Sequence, residues 1–440
     1  MATASAAKIG TSLAHGGLSE LKRRLFWVLF GLMVYRLGAY IPVPGLDPTK
    51  LAALFDNHSG GLLGLFNMFS GGALSRVTIF ALGIMPYISA SIVVQMYSSI
   101  SPKLKELKRE GESGRRKINQ YTRYGTVFLA LFQSLAICRW LVSSGVANQS
   151  GINFYFVAII TLVCGTVFLM WLGEQMTEHG IGNGISLLIF SSIASSMPAA
   201  IGRVFTQVKQ GQMSGLTLLI IICVVLLVTG VVVYFERAQR KITVNYAKRM
   251  RGRKMYGGQS THLPLKINMA GVIPPIFAQS LVLFPGTIAQ FFGTSHGWVW
   301  MSNISLMLQP GQPLYMLLIA LLVIFFSFFY NGLVFNPRET AENLKKSGAF
   351  IPGIRPGEQT ARYIEGVMDR LTFVGSLYLA IVALLPQIFM VVWHVPFYFG
   401  GTSLLIIVVV LMDFIAQVQA HLMSKHYNDL MKGGSGGLWG

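Results

Sequence analysis

Apolar stretches of about twenty residues alternate with polar segments along this chain, ten times in all. The windows lie near 25–43, 77–99, 120–140, 152–172, 183–202, 216–235, 268–292, 313–335, 371–391 and 397–418. A bilayer's hydrocarbon core is roughly 30 Å thick and takes about 20 helical residues to cross. Each window therefore predicts one transmembrane helix, and the fold class is an all-α polytopic membrane protein. One stretch breaks the pattern, from Gly61 to Gln95. Its first part, Leu62 to Ser70, is apolar but would reach only about 14 Å as a helix. Such a piece can enter a membrane without crossing it. Gly71-Gly72 then interrupts it, Ser75-Arg76 is polar, and Val77 to Met96 is long enough to span, with Gly83 and Pro86 inside it. Irregular backbone at membrane depth is tolerated only inside protein or beside a water-filled path. The stretch thus points to a pore or a transport site.

Composition agrees and narrows the class. Hydrophobic residues make up 53% of the chain and charged residues 12%, against about 25% charged in ordinary soluble domains. A soluble enzyme is excluded. The net charge of +19 admits nucleic acid, anionic lipid or cytoplasmic retention of cations as explanations, and position decides among them. Of 35 Lys and Arg, 28 fall in the termini and loops of one side and four in the loops of the other. That asymmetry places both termini in the cytoplasm. Lys22-Arg23-Arg24 followed by an apolar run resembles a signal peptide, but Arg36 interrupts the run and no small-residue cleavage site follows. It reads as a retained first span. Two cytoplasmic loops are larger than orientation requires. Glu236 to Ile267 carries nine cations and Asn336 to Arg370 carries six. They are suited to docking a large anionic partner, and contacts to RNA phosphates would be salt-sensitive.

The chain also repeats itself. Gly83-Ile84-Met85-Pro86-Tyr87-Ile88-Ser89-Ala90 and Gly271-Val272-Ile273-Pro274-Pro275-Ile276-Phe277-Ala278 share the pattern G-x-x-P-x-I-x-A. They sit in the second and seventh spans, which run in opposite directions. Two inverted five-helix halves are expected, residues 1–210 and 211–440, with the functional site between them at broken helices.

Chemistry of other kinds is sparse. Ion- or proton-driven transporters keep carboxylates or histidines inside their spans. Here Asp413 and Arg36 are the main intramembrane charges, and both sit where snorkelling reaches an interface. The eight histidines show no metal-ligand spacing, and Gly180-Ile181-Gly182-Asn183-Gly184 lacks the strand and the Lys of a phosphate loop. Cys138, Cys164 and Cys223 form no CxxC and read as buried free thiols. No nucleophile–base constellation points to catalysis. A solute transporter shares inverted repeats and broken helices but needs a polar midplane site. An insertase without a through-pore is the third reading.

Three stretches bring in a known family. GIMPYISASIVVQ (Gly83 to Gln95), WLGEQMTEHGIGNGIS (Trp171 to Ser186) and NPRETAENLKKSGAFIPGIRPGEQT (Asn336 to Thr360) are similar to motifs of the SecY family, channel subunits of the bacterial protein translocon. The resemblance runs from about Leu18 to Tyr427. It implies a clamshell of two halves around an hourglass pore, with an isoleucine constriction at Ile84, Ile88, Ile185, Ile189, Ile276 and Ile406. A re-entrant plug helix is implied at about 61–76, with Phe66, Asn67, Phe69, Gly71, Gly72, Ser75 and Arg76. A lateral gate is implied at Ser89 and Phe284, with Asn268 beside them. Arg253, Lys254 and Arg355 are implied as contacts for a motor or a ribosome. The expected partners are SecE and SecG subunits, the SecA motor ATPase, ribosomal RNA, signal peptides with unfolded secretory or membrane chains, and lipid. The expected place is the bacterial inner membrane, and no cofactor, metal or catalytic residue is implied.

Overall fold

The computed structural model describes residues 2–47, 50–51, 62–147, 151–211, 214–246, 249–251, 254–256, 260–296, 303, 306–393 and 401–434. In chain order these form α1 (Ala2–Gly38), α2 (Leu62–Phe69), α3 (Met85–Ile100), α4 (Pro102–Arg109), α5 (Glu112–Ser143), α6 (Ile152–His179), α7 (Gly184–Lys209) and α8 (Gly215–Arg237). Strands β1 (Gln239–Tyr246), β2 (Arg249–Arg251), β3 (Lys254–Tyr256) and β4 (Ser260–Lys266) follow. Then come α9 (Ile273–His296), α10 (Pro313–Val334), α11 (Pro337–Lys346), β5 (Ala349–Phe350), α12 (Glu358–Trp393) and α13 (Gly401–Gly434). Among the described residues, seven helices are long and apolar enough to cross a membrane, and Ile273–Thr287 is a shorter apolar helix.

Helix α8 shows why a bilayer is required. It buries Ile221, Val228, Val232 and Glu236, a narrow stripe. Leu216, Leu219, Ile222, Leu226 and Leu227 are all exposed. An apolar helix whose outer faces meet no protein needs hydrocarbon around it. Cys164 and Cys223 lie on such exposed faces, and only Cys138 is buried. This corrects the expectation of three buried thiols, because apolar surroundings in the sequence mean lipid as readily as core.

The chain divides into two compact units. One comprises 1–201, 285–305 and 410–440; the other comprises 202–284 and 306–409. In the first, α3 packs on α5, α5 on α6, and α6 on α1. Tyr35, Phe80 and Phe168 stack in series, with centroids 6.0 and 5.9 Å apart.

In the second unit α10 packs along α12, and α11 lies on α12. The loop Glu236 to Ile267, which hydropathy left without structure, holds strands. β1 pairs antiparallel with β4 from Gln239 opposite Lys266 to Asn245 opposite Ser260. β5 adds to the other edge of β1, with Asn245 opposite Phe350. Ile242 and Val244 alternate inward and meet Leu265, Ala349, Ile351, Ile364 and Met368. The two long basic loops thus share one small core. At 36 residues, α12 is about 54 Å long, well beyond a bilayer's thickness. Its first turns supply Ile364 and Met368 to that core. Helix α11 starts cleanly: Asn336 caps it, Pro337 opens it, and Lys345 and Lys346 occupy its last turn.

Candidate functional site

Helix α2 is the half-length piece the sequence predicts, eight residues and about 12 Å long. Phe66, Met68, Phe69 and Ser70 are buried around it. Turns occupy Ser70 to Ile84, and the second span becomes helical only at Met85. A helix beginning at Val77 was the expectation. The correction has a local cause. Val77, Gly71, Gly72 and Gly83 all adopt positive φ, at 41°, 68°, 81° and 57°. Pro86 then sits in the first turn of α3, where its missing N–H costs nothing.

Much of this irregular run's backbone bonds within the run itself. Gly71 N bonds Met68 O, Gly72 N bonds Asn67 O, and Thr78 N bonds Ala73 O. Ser75 N donates to Asn67 Oδ1 at 2.8 Å, and Leu74 N to Ser70 Oγ at 3.1 Å. The segment before it supplies two more bonds: Val43 N donates to Val77 O, and Ile79 N to Ile41 O. Asn67 and Ser75 therefore hold the turn. Gly71 and Gly72 supply backbone that other residues adopt only under strain.

The end of α2 lies next to both isoleucine pairs of the first unit. A Cβ on Gly83 would stand 3.6 Å from Ser70 Cα, and one on Gly71 would stand 3.1 Å from Ser192 Cα. Gly83 precedes Ile84, and Ser192 donates to the carbonyl of Ile189 at 2.7 Å. Ile84, Ile88 and Ile189 are buried and Ile185 is half-buried. Ile84 forms the N-cap of α3, and Ile88 N bonds Ile84 O at 3.1 Å, so the pair shares one turn. In the second unit Ile276, in the first turn of α9, and Ile406, on α13, are buried. Phe277 beside Ile276 meets Phe326 of α10 edge-on.

Of the residues implied for a lateral gate, Ser89 on α3 and Phe284 on α9 are both half-buried. Asn268 is buried in a polar cluster. Its side-chain amide donates to Glu236, the buried carboxylate at the end of α8, and to Gly271 O at 3.1 Å. Asn331 and Thr372 bond nearby, and with Ser327 and Ser376 they line a small cleft of about 10 Å³. Glu236 carries a buried charge at the foot of a span, which hydropathy treated as a loop residue.

The sequence reading also passed over Tyr35 and Ser195 and treated Arg36 as a snorkelling cation. Tyr35 Oη donates to Ser70 O at 3.1 Å. Arg36 Nη1 reaches Gly71 O at 3.4 Å, and Ser195 Oγ reaches the same oxygen at 3.5 Å. An arginine interrupting an otherwise apolar run was the available signal.

In the loop between α11 and α12, Arg355 is exposed at the tip between Gly353 and Gly357, both at positive φ. Thr360 Oγ1 donates to Arg355 O at 3.0 Å and fixes the tip to α12. Lys254 begins β3, a short strand paired with β2. Arg253 lies outside the described residues.

A basic platform outside the spans, spans with lipid-facing apolar surfaces and a half-length helix seated in irregular backbone together define a multi-pass membrane protein of channel type. The family model for SecY matches residues 78–415. "Protein translocase subunit SecY" of Escherichia coli K12 is 59% identical over 423 residues, covering 95% of this chain and 96% of that protein. The chain belongs to the SecY family. Its fold is also that of a structure described as showing the SecY plug domain stabilising the closed channel, at TM-score 0.67, 19% identity and 92% of this chain against 93% of that one. Sec61 in a canine ribosome–channel complex matches at TM-score 0.60 and 17% identity, with coverages of 92% and 93%.

Proposed function

We propose that this chain is a passive protein-conducting channel of the bacterial inner membrane, with both termini in the cytoplasm. It moves unfolded secretory chains across and releases membrane segments sideways into lipid. The observation that carries this reading is α2: a helix too short to span, seated beside Ile84 and Ile189 in irregular backbone that bonds to itself and to the segment after α1. Family membership at 59% identity over nearly the full length supports it.

On this reading the halves 1–210 and 211–440 close around a constriction formed by Ile84, Ile88, Ile185, Ile189, Ile276 and Ile406. Apolar rings hold water poorly and block ions by dewetting. Isoleucine also offers no hydrogen bond to a passing chain, so it seals without gripping. Phe66 to Arg76 stopper the ring, and Ser89, Phe284 and Asn268 border the lateral seam. No covalent chemistry is required. Energy comes from SecA or from chain elongation on a ribosome, both engaged through Arg253, Lys254 and Arg355, while SecE and SecG complete the assembly.

The decisive experiment reconstitutes the chain with motor, ATP and a precursor, and scores protease protection of the precursor. Deleting residues 62–76 should raise ion leak through the same vesicles severalfold. An unchanged leak would remove the plug assignment, and failure to protect any precursor would remove the channel itself.

A further inference from the structure

Beneath the aliphatic contacts of α2 lies a second, polar set of contacts made by α1. Two consecutive carbonyls at the end of α2 are held: Ser70 O accepts from Tyr35 Oη at 3.1 Å, and Gly71 O accepts from Arg36 Nη1 at 3.4 Å. From α7, Ser195 Oγ reaches Gly71 O as well, at 3.5 Å. The other guanidinium nitrogen of Arg36, Nη2, donates to Tyr40 Oη at 2.8 Å. Tyr40 is itself shared. The Arg36 Cζ lies 4.9 Å and the Arg76 Cζ 4.4 Å from its ring centroid. Among the described residues, no carboxylate forms an ion pair with Arg36 or Arg76.

We propose that Tyr35, Arg36 and Tyr40 are the positioning residues that hold the stopper shut, clasping its middle to α1 and its C-terminal end to the turn that follows α1. Tyr35 and Arg36 hold the end of α2, and Tyr40 holds Arg76, where the chain leaves the stopper for the second span. The inference rests on the channel reading and adds to it a defined set of bonds that opening must break. The chemistry suits a latch rather than a weld. A guanidinium–carbonyl bond and two cation–ring contacts are each modest and directional. Each group re-forms its contacts in water once the stopper leaves. An apolar contact alone would hold the stopper without fixing its depth. Because the clasped residues are adjacent in sequence to the Gly71-Gly72 break, release of Gly71 O frees the backbone positions with the widest conformational choice.

The test compares ion leak in vesicles holding the full chain as wild type, as the 62–76 deletion, and as Arg36→Met, Tyr40→Leu, Arg76→Met and Tyr40→Leu/Arg76→Met. Arg36→Met loses a charged hydrogen bond and a ring contact, so the leaking fraction should rise about tenfold. Tyr40→Leu and Arg76→Met should each raise it about two- to fivefold. The double variant should match the larger single, because both remove one shared contact. Labelling of Ser75→Cys by an impermeant maleimide from the outer face should accelerate in parallel, and correct folding is checked by an unchanged melting profile. A leaking deletion beside non-leaking Arg36→Met and Tyr40→Leu variants would overturn the latch and leave the channel standing. Effects that multiply in the double variant would overturn the Tyr40–Arg76 clasp. A deletion that does not leak would remove the plug assignment, and the latch with it, while the channel itself stands or falls on the precursor-protection assay.

Discussion

Gly165, in the middle of α6, is the residue whose replacement best tests whether the irregular segment is held by its neighbours. A Cβ built there would lie 1.9 Å from the carbonyl oxygen of Ile79 and 2.8 Å from its carbon. Both atoms are backbone, so no rotamer change relieves the clash. Ile79 cannot retreat freely, because its N–H donates to Ile41 O and the adjacent Thr78 bridges Pro42. Either α6 withdraws from the segment or the segment shifts and loses those bonds. Overpacking of this kind costs about 1–3 kcal/mol, and each backbone bond lost adds about 1 kcal/mol. Gly230→Ala on α8 is the matched control, since a Cβ there meets nothing within 4 Å. Alanine is the better helix former, by about 1 kcal/mol. Gly165→Ala should therefore lower the melting temperature in detergent and raise ion leak, while Gly230→Ala leaves both unchanged or improves stability. Equal melting temperatures for the two variants would refute the claim that α6 braces the stopper-bearing segment.

Other expectations follow from the platform and the polar cluster. Ile364 is fully buried in the platform core, so Ile364→Ala should cost about 2–5 kcal/mol locally and speed proteolysis near Arg355, read by limited digestion. Arg355→Glu reverses an exposed charge on a tip fixed from behind by Thr360. It should block motor-driven export while the melting temperature stays within about 1 °C, surface substitutions being worth under about 0.5 kcal/mol. Asn268→Ala takes one donor from the buried carboxylate of Glu236 and should destabilise by about 1.5–3 kcal/mol, measured by thermal unfolding.

How far the sequence disclosed this structure depends on what kind of information each part needs. Spans are set by hydropathy, which is local, and helices lie in all ten apolar windows. The stopper was legible for a negative reason: Leu62 to Ser70 is too short to cross. Its seat was not legible. Whether Arg36 snorkels or bonds Gly71 O depends on where a segment 35 residues away comes to rest. The same holds for the strands between α8 and α9. Their edge partner β5 lies beyond α9, α10 and α11, so no local pattern announces the sheet. The start of the second span was misplaced for a further reason. Val77 to Ile84 is apolar enough to be helix, but Gly83 and the bonds to Ile41 and from Val43 hold it in turns instead. Hydropathy reports what a segment dissolves in and is silent about what its backbone bonds to.

That distinction explains why the stopper lies where it does. A turn of fifteen residues at membrane depth would leave many N–H and C=O groups to be satisfied without water, each costing several kcal/mol if abandoned. Here several of the groups at the end of α2 and in its turn find side-chain partners in Asn67, Ser70, Tyr35, Arg36 and Ser195. Those partners divide into two kinds. Asn67 and Ser70 belong to the stopper and its turn, and travel with it. Tyr35, Arg36 and Ser195 belong to α1 and α7, and stay behind. Displacing the stopper therefore preserves the first set and breaks the second. Its lost bonds must then be replaced by water or by a passing chain. If α2 is the stopper proposed above, it opens as a unit rather than by unfolding, and groups that hydropathy counts as misfits hold it in place.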